Sequence, residues 1–188
     1  RPVFCTDPLL RLPMADYLDS LDASEAGGPP PPFYLGKVPL RRELPELAAE
    51  LPRFGVDEVE RAYGGCFGEP IPQGVVAYLG CARNTTAVHF DAYENLMLCV
   101  CGRKRLLLYP PSDARHLYPN GLGPQHREVD FTNATVPPFS RFEELPREAR
   151  EGCPLFGRAA PLEVALEPGD LLYLPACWWH CVEGSGDR

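Results

Sequence analysis

No run of apolar residues in this 188-residue sequence approaches the length needed to cross a membrane. The opening Arg1-Pro2-Val3-Phe4 lacks the charged-then-apolar pattern of a secretory signal. It also lacks a starting Met, so the chain is expected to be a fragment or a trimmed form. Positive charge is scarce: 18 Lys and Arg against 26 Asp and Glu give a net charge of -8. That balance excludes the broad basic footprint with which proteins grip phosphate backbones. Arg103-Lys104-Arg105 is a local basic run, and its two arginines are expected on a solvated strand edge. No pair among the eight cysteines has Cys-x-x-Cys spacing, and a domain of this size needs no disulfide staples. Cys99 and Cys101, two apart in a strand-like run, are expected on one face. Several others sit among apolar neighbours, where Cys acts as a small hydrophobe. The thiols therefore read as reduced and the location as intracellular, in cytoplasm and/or nucleus. Asn84-Thr85-Thr86 and Asn133-Ala134-Thr135 match the glycosylation triplet, but without a secretory signal they carry no weight.

What is present is an ordinary globular composition, 45% hydrophobic and 23% charged, with length for one well-buried core. The 23 prolines and 17 glycines disfavour long helices. Leu9 to Leu21 has helical spacing and precedes a breaker cluster, Gly27-Gly28-Pro29 to Pro32. Leu44–Leu51 and Asp57–Tyr63 read as short helices, and Phe33-Tyr34-Leu35 as a short strand. Strand signals then dominate: Val75–Leu79, Thr85–His89, Leu96–Cys101, Arg105–Tyr109, Leu162–Leu166, Leu171–Leu174 and Trp178–Val182. Ser112-Asp113-Ala114-Arg115 predicts a helical turn capped by Ser112. Glu167-Pro168-Gly169-Asp170 predicts a tight turn. Residues 118–161 read as an irregular insert, of a length more often functional than structural. Many short strands between Gly and Pro turns predict an all-β sandwich or barrel with minor helices. The organisation expected is a helical and loop segment over 1–32 followed by a core over 33–188.

The chemistry gathers on three histidine and aspartate positions. In His89-Phe90-Asp91 the first and third residues share a strand face, so an imidazole and a carboxylate can reach one metal. Alone the motif is weak. His180, beyond the Pro168-Gly169-Asp170 turn, supplies a third ligand from a remote strand. Beside Trp178 and Trp179, its bland alternative is a buried core histidine. Two imidazoles and one carboxylate occupy one face of an octahedral ion and leave three positions open, the non-haem Fe(II) arrangement. Lys104 follows Asp91 by thirteen residues and can hold the far carboxylate of a chelating dicarboxylate. Thr86 and Tyr34 are candidate hydroxyl partners. Each taken singly has a structural alternative: a surface lysine, a strand threonine, a core tyrosine. The apolar residues around Trp178 and Phe90 are expected to limit water at the metal.

At this point the chain resembles a known family. Thr86 through Asn95, Gly102-Arg103-Lys104-Arg105, Tyr109-Pro110-Pro111, and Glu167 through Pro175 with Trp179-His180 are similar to the JmjC domain. The likeness is greatest to its small hydroxylases, which act on asparagine, arginine or the wybutosine base of tRNA. It runs from about Phe33 to Val182. It implies a double-stranded β-helix, the cupin jelly roll. It implies Fe(II) on His89, Asp91 and His180, and 2-oxoglutarate on Lys104 with Thr86 and Tyr34, O2 being the cosubstrate. Asn95 matches a residue that holds the cosubstrate or nearby water. Val129-Asp130-Phe131 to Phe142 resembles the insert that covers the site.

Two departures qualify the likeness. Gln125-His126 stands where the asparaginyl hydroxylase holds its target amide with an Arg-Gln pair. The chain also stops eight residues after His180, short of the family's last core strand and of the C-terminal helices that make some relatives dimers. The expected reaction is hydroxylation of a side chain on a protein or peptide substrate. The alternatives are a tRNA-nucleoside hydroxylase of the wybutosine type, a methyl-lysine demethylase, a zinc or manganese cupin, and a metal-binding scaffold without turnover. The oligomeric state stays open, with a dimer expected only of a longer form.

Overall fold

The computed structural model describes residues 12–29, 31, 34–82, 84–119 and 133–185. Its contacts cluster into two units that meet in sequence at Cys81 and Ala82. In the first unit, α1 spans Met14–Glu25. The helix begins after Pro13 and stops before Gly27 (φ 97°), so it lies further along the chain than the Leu9–Leu21 spacing predicts. Leu9 and Leu10 fall outside the described residues. β1 (Leu35–Pro39) pairs antiparallel with β2 (Val76–Leu79). Between them lie α2 (Leu40–Glu43), α3 (Pro45–Ala48), a 3-10 turn at Leu51–Phe54 and α4 (Val56–Phe67). Pro45 and Pro52 split the expected Leu44–Leu51 helix into single turns, because neither ring nitrogen can donate to the preceding turn. Tyr17 and Leu21 of α1 are buried with Cys81 and pack on Leu35 and Leu79. The Tyr17 hydroxyl donates to the Leu79 carbonyl (2.6 Å) and accepts the Leu35 N–H (3.2 Å), tying the helix to both strands.

The second unit is the β-rich one. Its strands are β3 (His89–Phe90), β4 (Asn95–Leu98), β5 (Arg103–Tyr109), β6 (Leu162–Leu166), β7 (Leu171–Leu174) and β8 (Trp179–Ser185). A four-stranded antiparallel sheet runs in the order β3-β8-β5-β6, and β4 pairs with β7 in a second sheet. This is the antiparallel, strand-dominated architecture of a cupin jelly roll, as the sequence resemblance implies.

Side-chain alternation gives the larger sheet two working faces. Leu106 and Leu108 of β5, Val164 and Leu166 of β6 and Val182 of β8 point one way. They pack with Met97, Leu172 and Leu174 of the smaller sheet, closing a core between the two sheets. On the opposite face, Leu107, Tyr109, Trp179 and Cys181 are covered by Leu117, Ala134, Val136, Leu145 and Phe156. The insert is therefore not irregular throughout. Its described part forms a 3-10 turn at Phe142–Glu144, α6 (Arg147–Gly152) and a 3-10 turn at Phe156–Arg158. These short helices shield the outer face of the main sheet. The helical turn expected near Ser112 exists as a 3-10 turn at Pro111–Asp113 leading into α5 (Ala114–Leu117), but no side chain caps either helix.

Two further expectations are corrected. Arg103 and Arg105 do not lie on an edge: β5 sits between β8 and β6, and each guanidinium is exposed on the sheet surface against a glutamate. Arg103 Nε lies 3.2 Å from Glu167, and Arg105 Nε 2.6 Å from Glu163. Cys99 and Cys101 do not share a face. β4 ends at Leu98, so Cys99 turns into the inter-sheet core while Cys101 is exposed. Among the described residues every cysteine is free.

The β6–β7 turn at Glu167–Asp170 is as expected. Gly169 adopts φ 96°, a backbone state open to glycine. Asp170 Oδ2 accepts the Glu167 N–H (2.8 Å) and closes the turn. The Gly169 N–H and the Asp170 carbonyl pair with the Cys99 backbone (2.8 and 3.0 Å), anchoring the turn beside β4.

Candidate metal centre

The two candidate ligand histidines are brought together by strand pairing. His89 on β3 is directly opposite His180 on β8, and His180 is also opposite Leu108 on β5. Directly opposed residues in an antiparallel ladder project to the same face. Leu108 belongs to the core between the sheets, so both imidazoles open onto that inner side. Their ring centroids lie 4.3 Å apart. Phe90, one residue on, must face the other way, and it packs edge-on against Trp179 with centroids 4.9 Å apart. Phe90 therefore does not line the metal site, contrary to the expectation. Trp178 does belong to the inter-sheet cluster.

Each ring is fixed by its remote nitrogen. His89 Nδ1 donates to the Ala87 carbonyl (2.8 Å), and His180 Nδ1 donates to the Trp178 carbonyl (3.0 Å). A carbonyl only accepts, so Nδ1 carries the proton and Nε2 is the nitrogen with a lone pair, the atom through which a metal would bind. His180 Nε2 is 3.9 Å from Asp91 Oδ2, with the His180 side chain 4% exposed and that of Asp91 32% exposed. Asn95 Nδ2 donates to that same Asp91 oxygen (3.3 Å) and to the Tyr93 carbonyl (3.1 Å). His89, Asp91 and His180 each offer a ligand atom, all within 4.8 Å of one another. The donor set of two imidazole nitrogens and one carboxylate oxygen fits Fe(II).

His116 is the other buried histidine among the described residues. Its Nε2 accepts from Arg115 Nε (3.2 Å) and its Nδ1 donates to Asp113 Oδ1 (3.2 Å), so neither nitrogen is left for a metal. Asp113 Oδ2 in turn accepts the Ala160 N–H (3.1 Å). That network pins α5 to the end of the insert.

Lys104 lies opposite Leu166 and Gly184 in the same sheet. It is in phase with Leu106 and Leu108, so it shares their inner face with His180. Lys104 and Leu108 are four residue steps apart, about 13 Å along the strand. Its ammonium charge also reaches buried Cys99. Burial pushes that thiol's pKa up, and Lys104 opposes the rise. Thr86 sits on the approach to β3. Its N–H donates to the Val182 carbonyl (2.9 Å), and its hydroxyl accepts the Val182 N–H (2.8 Å). A hydroxyl that accepts one bond can still donate its own proton to a further acceptor. The double contact was not foreseeable from sequence.

Tyr34 belongs to the first unit, where its ring lies 6.1 Å from that of Tyr78. Burial raises its pKa well above the usual phenol range, with Tyr78 and Tyr17 adding to the effect, so it remains a neutral donor. Gln125, His126, Val129, Asp130 and Phe131 lie outside the described residues.

An antiparallel jelly roll with a histidine on one strand, an aspartate just past that strand's end and a distant histidine on the neighbouring strand has the His-x-Asp…His pattern of JmjC cupins. The chain belongs to the Cupin-like domain family, whose family model matches residues 8–188. It is similar to tRNA wybutosine-synthesizing protein 5 of Danio rerio, 32% identical over 75% of this chain and 35% of the relative. It is similar to Jumonji C domain-containing protein 5 of Drosophila melanogaster, 31% identical over 74% of this chain and 32% of the relative. It is also similar to the bifunctional peptidase and (3S)-lysyl hydroxylase JMJD7 of Homo sapiens, 31% identical over 93% of this chain and 56% of the relative. The chain thus spans about a third to a half of the length of these relatives. The resemblance to JmjC hydroxylases is borne out by these relatives. No helix among the described residues is long and apolar enough to cross a membrane.

Proposed function

We propose that this chain is the catalytic core of an Fe(II)- and 2-oxoglutarate-dependent dioxygenase that hydroxylates a side chain of a protein substrate. The observation that carries the proposal is the pairing of His89 with His180 beside Asp91, their ligand atoms within 4.8 Å of one another, on the sheet face that also bears Lys104. Bound Fe(II) with 2-oxoglutarate supplies the oxidising chemistry that places a hydroxyl on an unactivated C–H bond.

The chain's own residues do the positioning. His89, Asp91 and His180 would hold the ion. Asn95 orients the Asp91 carboxylate through its amide. Lys104 would pair with the far carboxylate of the cosubstrate, and the Thr86 hydroxyl, whose oxygen accepts the Val182 N–H, would donate its proton to it. Leu106, Leu108, Val182 and Trp178 keep the inner side apolar and restrict water.

A protein substrate is favoured by the lysyl hydroxylase relative, which covers 93% of this chain, and by the net charge of -8, which suits a basic peptide. The second reading is a tRNA-nucleoside hydroxylase, favoured by the wybutosine-synthesizing relatives and opposed by the same acidity. A demethylase reading draws on a relative named lysine-specific demethylase JMJ32 of Arabidopsis thaliana. We place the protein in the cytoplasm or nucleus, which suits its free thiols.

Anaerobic absorption spectroscopy with Fe(II), before and after 2-oxoglutarate, tests the proposal. A weak visible charge-transfer band is expected in the unaltered protein, lost in His180→Ala. Lys104→Ala removes a charge-assisted pair of about 1.5–3 kcal/mol, which weakens cosubstrate affinity about 10- to 150-fold. A folded protein that shows no band under these conditions overturns the reading.

A further inference from the structure

The two chain segments that present the metal ligands are strapped together by a side chain outside the ligand set. Residues 91–94 follow β3 and carry Asp91. The turn from Pro175 to Trp178 joins β7 to β8 and delivers His180. Glu94 Oε2 accepts the Ala176 N–H (3.1 Å) and the Tyr173 hydroxyl (2.7 Å), both on one oxygen. One residue later, the Cys177 N–H donates to the Asp91 carbonyl (2.8 Å). Cys177 does so with φ 65°, a left-handed state that costs a non-glycine residue about 1 kcal/mol or more. The turn is closed by the Trp178 N–H on the Pro175 carbonyl (3.2 Å). The Trp178 carbonyl then holds His180 Nδ1. An unbroken run of contacts therefore leads from the Glu94 carboxylate to the ring angle of one ligand and the backbone of another.

We propose that Glu94 is a positioning residue for the metal centre, holding the β7–β8 turn so that His180 and Asp91 converge on one ion. The inference rests on reading the His89–Asp91–His180 cluster as a metal site. Glu94 itself points to Tyr173 and Ala176 and coordinates nothing. Because both donors meet one oxygen, glutamine can keep both contacts at lower strength, whereas alanine keeps neither. Outer partners of metal ligands typically contribute 10- to 100-fold to metal affinity.

The test is anaerobic titration of the full chain with Co(II), reading both the dissociation constant and the visible d–d spectrum, together with amide hydrogen exchange of the metal-free protein. Glu94→Ala is expected to weaken Co(II) binding about 10- to 100-fold, change the d–d spectrum, and speed exchange at Ala176 and Cys177. Glu94→Gln is expected to restore most of the affinity and spectrum, and Tyr173→Phe to fall between. A folded Glu94→Ala protein with unchanged Co(II) affinity and spectrum overturns the proposal, even if its melting temperature falls. Should Glu94→Ala not fold, Tyr173→Phe with unaltered affinity and Cys177 exchange overturns it. Unaltered protein that binds no Co(II) sinks the metal-site reading, whereas unchanged exchange in the variants sinks the strap alone.

Discussion

A metal that bridges β3 and β8 must stabilise the fold, and the size of the effect follows from linkage. The ligand cluster exists only while His89 and His180 are paired across the two strands, so the ion binds the native state far better than the unfolded one. At a free metal concentration of 100 times the dissociation constant, the stabilisation is about 2.7 kcal/mol. For a chain of this length, 1 kcal/mol moves the melting temperature by about 2–4 °C, so a rise of about 5–11 °C is expected. The choice of ion matters. Eight cysteines become available on unfolding, and thiolates hold soft metals such as Zn(II), which would mask the shift. Mn(II) prefers oxygen and nitrogen and avoids that competition. Thermal unfolding by circular dichroism, in chelator and then in Mn(II), should show the rise in the unaltered protein and none in His180→Ala. The same rise in His180→Ala would refute the assignment of that ligand. No rise at concentrations up to millimolar Mn(II), in a protein shown to be folded, would refute the site.

Two further outcomes are expected of the β-rich unit. Leu106 is fully buried between the sheets, so Leu106→Ala should cost about 2–5 kcal/mol in denaturant unfolding; a cost below 1 kcal/mol would mean that the two sheets do not pack as described. Alkylation by a maleimide should label exposed Cys66, Cys101 and Cys177 in the native protein and spare Cys81, Cys99 and Cys181. Burial pushes the Cys181 pKa up to about 11, so it stays a thiol across pH 7–9, and its labelling should appear only with unfolding.

Much of the site was legible because its chemistry leaves a mark on spacing. His89 and Asp91 are two apart, with Asp91 just past the end of β3, and His180 follows a Pro-Gly-Asp turn that the structure keeps. Leu162–Leu166 and Leu171–Leu174 are strands residue for residue as expected, since Gly and Pro punctuate both. Other features left no local mark. Thr85–His89 reads as one strand, yet only His89–Phe90 forms β3, with Thr85 in an isolated bridge to Glu183. The intervening Thr86 spends its hydroxyl on the Val182 N–H, a contact 96 residues distant in sequence. The link from Asn95 to Asp91 is set by a loop geometry that periodicity does not encode. The insert's short helices were hidden by their prolines. They form because Leu145 and Phe156 find a ready surface on β5 and β8, a case of packing overriding propensity.

The alternation along β8 gives each residue a different master. Trp179 and Cys181 serve the outer core, His180 and Val182 the inner one. A slip of one residue would turn His180 out of the inner side and thrust Trp179 toward the metal. The Thr86–Val182 contact resists that slip, and so does any ion held between His89 and His180. A metal centre at this position would thus also be a checkpoint on the fold. It can assemble only after His89 and His180, far apart in sequence, have met in the right register, and once loaded it should act chiefly by slowing escape from the native state.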